Sequence, residues 1–130
     1  EYGGSGRIKL WKCGLMFFIQ NPILGYGPEN LGELYEANGV IQDRPHNILL
    51  QQATTSGIIG LLSYVMAIGI ILIRGLKHMK LEDGLHIIAY ASVLAYLISA
   101  MFGNSMFYTS PFFFIFLGSL MNSNLKKKEQ

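Results

Sequence analysis

Gly57–Ile73, GIIGLLSYVMAIGIILI, contains no charged residue, and the reading of this stretch decides the fold. As a helix rising 1.5 Å per residue it covers about 25 Å, close to the roughly 30 Å hydrocarbon core of a bilayer once Thr54–Ser56 are added. Arg74, Lys77, His78 and Lys80 end it abruptly. Two more apolar stretches follow. Leu85–Phe102 (LHIIAYASVLAYLISAMF) is uncharged apart from His86 at its edge. Met106–Met121 (MFYTSPFFFIFLGSLM) is shorter, interrupted by Pro111, and closed by Lys126-Lys127-Lys128. The pattern predicts an all-α, multi-pass membrane protein fragment. Residues 1–50 form an extracytoplasmic segment of interfacial helix plus loop. Within 51–121, three transmembrane helices are expected at about 54–73, 85–102 and 106–121, and 122–130 form a cytoplasmic basic tail.

Composition agrees. Hydrophobic residues make up 51% and charged residues 14% of the chain, against roughly a quarter charged in soluble domains. The chain starts at Glu1 and shows no secretory signal pattern, which reads as a fragment of a longer protein. Cys13 stands alone, which excludes a disulfide framework or a cysteine zinc site and suggests a buried, unreactive thiol. Basic residues cluster at membrane flanks, so lipid phosphate is their default partner and nothing points to nucleic acid. The three histidines fall on opposite faces of the membrane and cannot share a metal.

The positive-inside rule supplies orientation. Arg74, Lys77 and Lys80 mark one loop as cytoplasmic and the terminal lysines mark the tail, so the turn at Gly103-Asn104-Ser105 and the first fifty residues lie outside. Arg7, Lys9, Lys12 and Arg44 run against the rule there, and a buried role for some of them would account for the exception.

The outer segment has its own order. Ser5 is placed to cap a helix over Arg7–Gln20. Lys9, Lys12, Met16 and Gln20 share one side of it; Ile8, Trp11, Leu15, Phe18 and Ile19 share the other, with Arg7 among them. Such a helix fits the membrane interface or the end of a preceding span. Asn21-Pro22 stops it, and Gly25-Tyr26-Gly27-Pro28 reads as a turn. Leu31–Ala37 forms a short helix, and Asn38-Gly39 turns again. Helix resumes at His46 or Asn47 after Pro45. Eleven residues separate His46 from Gly57, roughly 16 Å of helix, which puts the imidazole among headgroups. Gly57, Gly60 and Gly69 are read as sites of close helix contact, His78 and His86 as interface markers.

Four residues have chemistry to offer. His46 suits a general base, since imidazole titrates near neutrality; its bland reading is a loop-bonding residue at a helix start. Asn47 either caps the helix or orients that imidazole. Arg7, a guanidinium on an apolar face, suits phosphate oxygens bidentately, or a salt bridge to Glu29, Glu33, Glu36 or Asp43. Arg44 is a second phosphate ligand or a surface charge.

Taken in order, RIKLW (Arg7 to Trp11), NPILGYG (Asn21 to Gly27) and HNILLQQATTSGIIG (His46 to Gly60) resemble the C-terminal part of the O-antigen ligase / O-antigen polymerase family, over roughly residues 5–73. The resemblance implies a metal-independent, inverting glycosyltransferase or ligase with no cofactor, on the outer face of the bacterial cytoplasmic membrane. Its donor would be an undecaprenyl-diphosphate-linked glycan, and its acceptor lipid A core or another glycan. Arg7 would hold the diphosphate and His46 would activate the acceptor hydroxyl, with Arg44 and Asn47 contacting substrate. Thr54, Thr55 and Ser56 stand where the family commonly has an acidic residue, the loop from Gly27 to His46 is short, and the piece alone is not expected to be active. The rivals are a transporter or flippase fragment and a non-catalytic membrane scaffold. Only Ser63, Ser92 and Ser99 lie near mid-span, which argues against transport.

Overall fold

A computed structural model describes residues 6–28, 30–80, 82–103 and 108–125. Ser5, Asn104–Met106 and the terminal lysines lie outside them. All regular structure among the described residues is helical: α1 (Arg7–Gln20), α2 (Leu31–Ala37), α3 (Ile48–Lys77), α4 (Gly84–Ala100) and α5 (Ser110–Leu125). The all-α expectation holds, and α1 and α2 have the predicted bounds.

Among the described residues one helix, α3, is long and apolar enough to cross a membrane, with a mean hydropathy of 2.3. The apolar helices α4 and α5 are shorter, at 17 and 16 residues. Pro111 does not interrupt α5. It stands in the first turn, where the missing N–H has no helical partner to lose.

The chain divides into two compact units. The first comprises residues up to Tyr64 together with Ala100–Asn104. Its core gathers Leu10 and Phe17 of α1, Leu31 and Tyr35 of α2, and Val40, with Trp11, Cys13, Tyr26 and Leu34 packed around them. Phe17 meets Tyr35 edge-on, ring centroids 5.2 Å apart. Gly14 is buried, and a Cβ there would come within 2.9 Å of both the Leu50 side chain and the Tyr35 hydroxyl. Its lack of a side chain lets α1 lie directly against α3.

In the second unit the rest of α3 packs with α4 and α5. Val93 and Leu120 are fully buried, and Tyr96 stacks on Phe113 with centroids 4.4 Å apart. His86, expected at an interface, is buried instead, its Nε2 2.9 Å from the Gly75 carbonyl.

The most consequential departure from the sequence reading is at Gly57. α3 is not continuous there: Gly57 adopts φ 64°, ψ −167°. The helical bond that Thr54 O would accept from Ile58 N is replaced, and Thr55 O takes a partner from the loop. Tyr26 N donates to Thr54 O at 2.9 Å, Gly27 N to Thr55 O at 2.8 Å, and Ile58 N donates to Pro22 O at 2.7 Å. The Asn21–Gly27 loop thus fills the break. Gly25 is also at positive φ, and a Cβ on it would press into the Thr55 backbone at 2.5 Å. Gly57 therefore admits a loop rather than a neighbouring helix, while Gly69 faces open space.

Gly57→Ala is expected to destabilise the first unit. This backbone region, essentially confined to glycine, costs an L residue of order 1–3 kcal/mol, and the new Cβ collides with the Ile23 carbonyl. Thermal unfolding in detergent should show a lower midpoint than Gly69→Ala, which meets nothing.

Candidate functional site

α3 begins at Ile48 with Asn47 as its N-cap, one residue past the later of the two expected starts, His46 and Asn47. Asn47 Oδ1 accepts from Leu50 N at 3.0 Å, the helix N-cap bond. Its Nδ2 donates to Met101 O at 3.1 Å, just past the end of α4. Both ends of the amide are thereby engaged within the first unit. The expectation that Asn47 caps the helix is met, and each end of its amide carries a protein hydrogen bond.

His46 is drawn out of the helix by this arrangement. Its φ is 54°, and it is the sole non-glycine with positive φ among the described residues. Such backbone conformations cost of order 1–3 kcal/mol and persist where the surroundings over-determine them. Here the restraints are adjacent. Pro45 is fully buried on one side, and Asn47 is doubly tied on the other. The imidazole itself is half-buried, reachable from solvent.

Arg7 opens α1 and is exposed. Among the described residues it makes no ion pair with Glu33, Glu36 or Asp43; Glu29 lies outside them. Lys9, two residues on and on the lysine face, donates to the Gly39 carbonyl at 3.0 Å. Arg44 Nε is 3.2 Å from Asp43 Oδ2, both groups well exposed, a pair of the kind worth little and easily exchanged.

Two contacts decide how α1 stands against the first half of α3. Gly14 meets Leu50, and further along both elements the 22–27 loop meets Thr54–Ile58. The helices therefore run side by side in the same direction. Arg7 lies seven residues before the first contact, about 10 Å, and His46 four residues before it, about 6 Å by helical rise. By backbone course Arg7 and His46 lie toward the same end of the pair.

A concavity of ≈ 470 Å³ lies between α2 and the loop that follows it, lined by Gly32, Glu36, Gly39, Val40, Ile41 and Asp43. Neither His46 nor Arg7 lines it. Among the described residues no three His, Cys, Asp or Glu side chains gather as a metal-ligand set.

With this geometry in place, comparison with known proteins is informative. Residues 3–65 match the family model of O-antigen ligase. Residues 3–65 are thus similar to the O-antigen ligase family. The matched stretch contains α1, α2, the loop that fills the break and the start of α3, so the family resemblance and the first structural unit nearly coincide. An O-antigen ligase of Pseudomonas aeruginosa (strain PAO1) is 36% identical over 65 residues, covering 50% of this chain. The aligned part spans 16% of that curated relative's length. No solved structure matches the chain. The membrane and polysaccharide-biosynthesis character expected from the sequence follows from the family together with the apolar α3.

Sequence reasoning missed Tyr35. Its hydroxyl donates to Leu10 O at 3.1 Å, and burial, with a smaller contribution from Cys13, pushes the phenol above its ordinary value of about 10. A raised folded-state value means that the proton is held more tightly in the folded protein. The associated stability is complete below pH 10 and is lost as pH rises further. Tyr35→Phe is expected to lower stability by about 1 kcal/mol at pH 8, through the lost hydrogen bond. It should also flatten the decline in unfolding midpoint between pH 9 and 11.

Proposed function

We propose that the full-length protein transfers a glycan from undecaprenyl diphosphate to an acceptor at the outer face of the bacterial cytoplasmic membrane. The acceptor is lipid A core or a second lipid-linked glycan. The observation that carries this reading is the pinned His46 backbone, at the same end of the α1–α3 pair as an arginine without an ion-pair partner among the described residues. The similarity of residues 3–65 to the O-antigen ligase family supports the reaction class.

In this mechanism His46 accepts the proton of an acceptor hydroxyl as that oxygen attacks the anomeric carbon. The new glycosidic bond forms on the face opposite the departing oxygen, with inversion. The bond to the diphosphate breaks, and undecaprenyl diphosphate leaves with the electron pair. Negative charge builds on the departing phosphate oxygens, and the Arg7 guanidinium, with a planar fork suited to them, stabilises it without a metal. Arg44 assists by exchanging its exposed Asp43 partner for phosphate. Asn47 acts behind His46 by holding its backbone. The other two apolar helices, α4 and α5, serve as additional spans that complete the expected three and leave 122–130 on the cytoplasmic side.

The break in α3 invites a transporter reading, because discontinuous helices bind substrates in transporters through freed backbone groups. Here Thr54 O, Thr55 O and Ile58 N are already occupied by the 22–27 loop. Enzyme chemistry is the better account.

In the full-length protein, His46→Ala and Arg7→Ala are each expected to reduce glycan transfer by at least ~100-fold, with membrane insertion unchanged. Arg7→Lys should retain part of the activity, since charge is kept and the bidentate fork lost. Near-normal glycan chains in both alanine variants would overturn the assignment.

A further inference from the structure

The Asn21–Gly27 loop carries an unusual combination. Ile23 and Leu24 at its tip are 60% and 72% exposed, yet its polar backbone is bonded inward on both sides of the tip. Gly25 N donates to Asn21 O at 3.1 Å, and the Asn21 side-chain amide donates to Gly25 O at 2.7 Å. Tyr26 and Gly27 donate to α3, Pro22 O accepts from α3, Pro22 has no N–H to satisfy, and Asn30 Nδ2 closes onto Tyr26 O at 2.6 Å. A loop in water has no need of such closure, because solvent bonds its backbone freely. Apolar surroundings favour it for the groups on either side of the tip, since irregular backbone is tolerated there only where its polar groups are bonded to protein; the Ile23 and Leu24 peptide groups, outside this set of bonds, then lie at headgroup level with their side chains pointing deeper.

Position along α3 points the same way. The loop attaches at Thr54–Ile58, where the uncharged run Gly57–Ile73 begins. On that run Ile58, Ile59 and Leu62 are exposed apolar side chains of the one described helix long and apolar enough to cross a membrane. Along α1, Ile8, Leu15 and Ile19 are exposed as well, 66% at Ile19. At 100° per residue these three share one side of the helix, which leads into the loop. Lys12, grouped with the polar side in the sequence reading, borders these three at 20–60° by the same 100° per residue, and its stem is long enough for the ammonium to reach phosphate.

We infer that the Ile23-Leu24 tip is inserted into the outer leaflet at the edge of the hydrocarbon, with the Ile8–Leu15–Ile19 side of α1 against the acyl chains beneath the headgroups. The occupant of this apolar surface is lipid. The inference depends on α3 crossing the membrane and is independent of the catalytic roles of Arg7 and His46. Its consequence is positional: the loop that plugs the break in α3 also fixes the depth of the first unit, and with it the height of the α1–α3 end bearing His46.

Site-directed spin labelling of the full-length protein in phosphatidylethanolamine–phosphatidylglycerol liposomes tests this, in a Cys13→Ala background. Labels are placed at Ile23→Cys and Leu24→Cys. Ile41→Cys, at a fully exposed residue of the outer segment, serves as the aqueous reference and Leu62→Cys as the lipid reference. The ratio of oxygen to water-soluble nickel-chelate collision rates is expected to be several-fold higher at 23 and 24 than at 41, and to approach that at 62. A ratio equal to that at 41 would place the tip in water and overturn the inference. So would low collision rates with both reagents, which mean that protein covers the tip. Ile23→Trp in a Trp11→Phe background, read by brominated-lipid quenching, gives the same answer without a label: strong quenching supports insertion and its absence refutes it.

Discussion

The exchange of backbone hydrogen bonds at Gly57 is the interaction on which the first unit depends. A helix that breaks inside an apolar environment leaves backbone carbonyl and N–H groups without partners, each costing several kcal/mol if unmet. The 22–27 loop supplies a partner to Thr54 O, Thr55 O and Ile58 N, and this works only because Gly57 and Gly25 lack side chains where the two backbones meet. Once the loop is seated, α1 is carried to the side of α3, and the Gly14–Leu50 contact completes the pairing. α2 closes over the pair through the buried Tyr35.

From that pairing follows the placement of the chemistry. Arg7 and His46 are 39 positions apart in sequence, yet the side-by-side course of α1 and α3 brings them to one end. The N-cap at Asn47 adds local control. By starting the helix one residue after the imidazole and tying itself to Met101 O, Asn47 leaves His46 in a left-handed backbone that an ordinary helix start would not impose. The proposed general base is therefore a residue whose direction is set by tertiary contacts on both sides, as preorganised catalysis requires. Arg7, the proposed diphosphate ligand, stands on a regular helix and needs no such restraint.

Much of this was legible in the sequence. Helical periodicity and the Asn21-Pro22 stop located α1, the apolar run located α3, and the ordered motifs carried the family resemblance. The Gly25-x-Gly27 pair was legible as a turn but not as a plug, because its partners lie about thirty residues away and are backbone atoms with no side-chain signature. His86 looked like an interface residue by position, and only packing shows its ring turned inward on Gly75 O.

By itself, then, the sequence determined the helical class, the bounds of α1 and α2 and the candidate chemistry, because hydrophobic period, caps and breakers act over a few neighbouring residues. Tertiary structure alone decided that α3 is broken at Gly57, that His46 sits outside the helix, and that Arg7 shares an end with it. Each of those outcomes rests on hydrogen bonds or contacts between distant backbone segments. Their stabilisation depends on the folded geometry, and no local pattern encodes it.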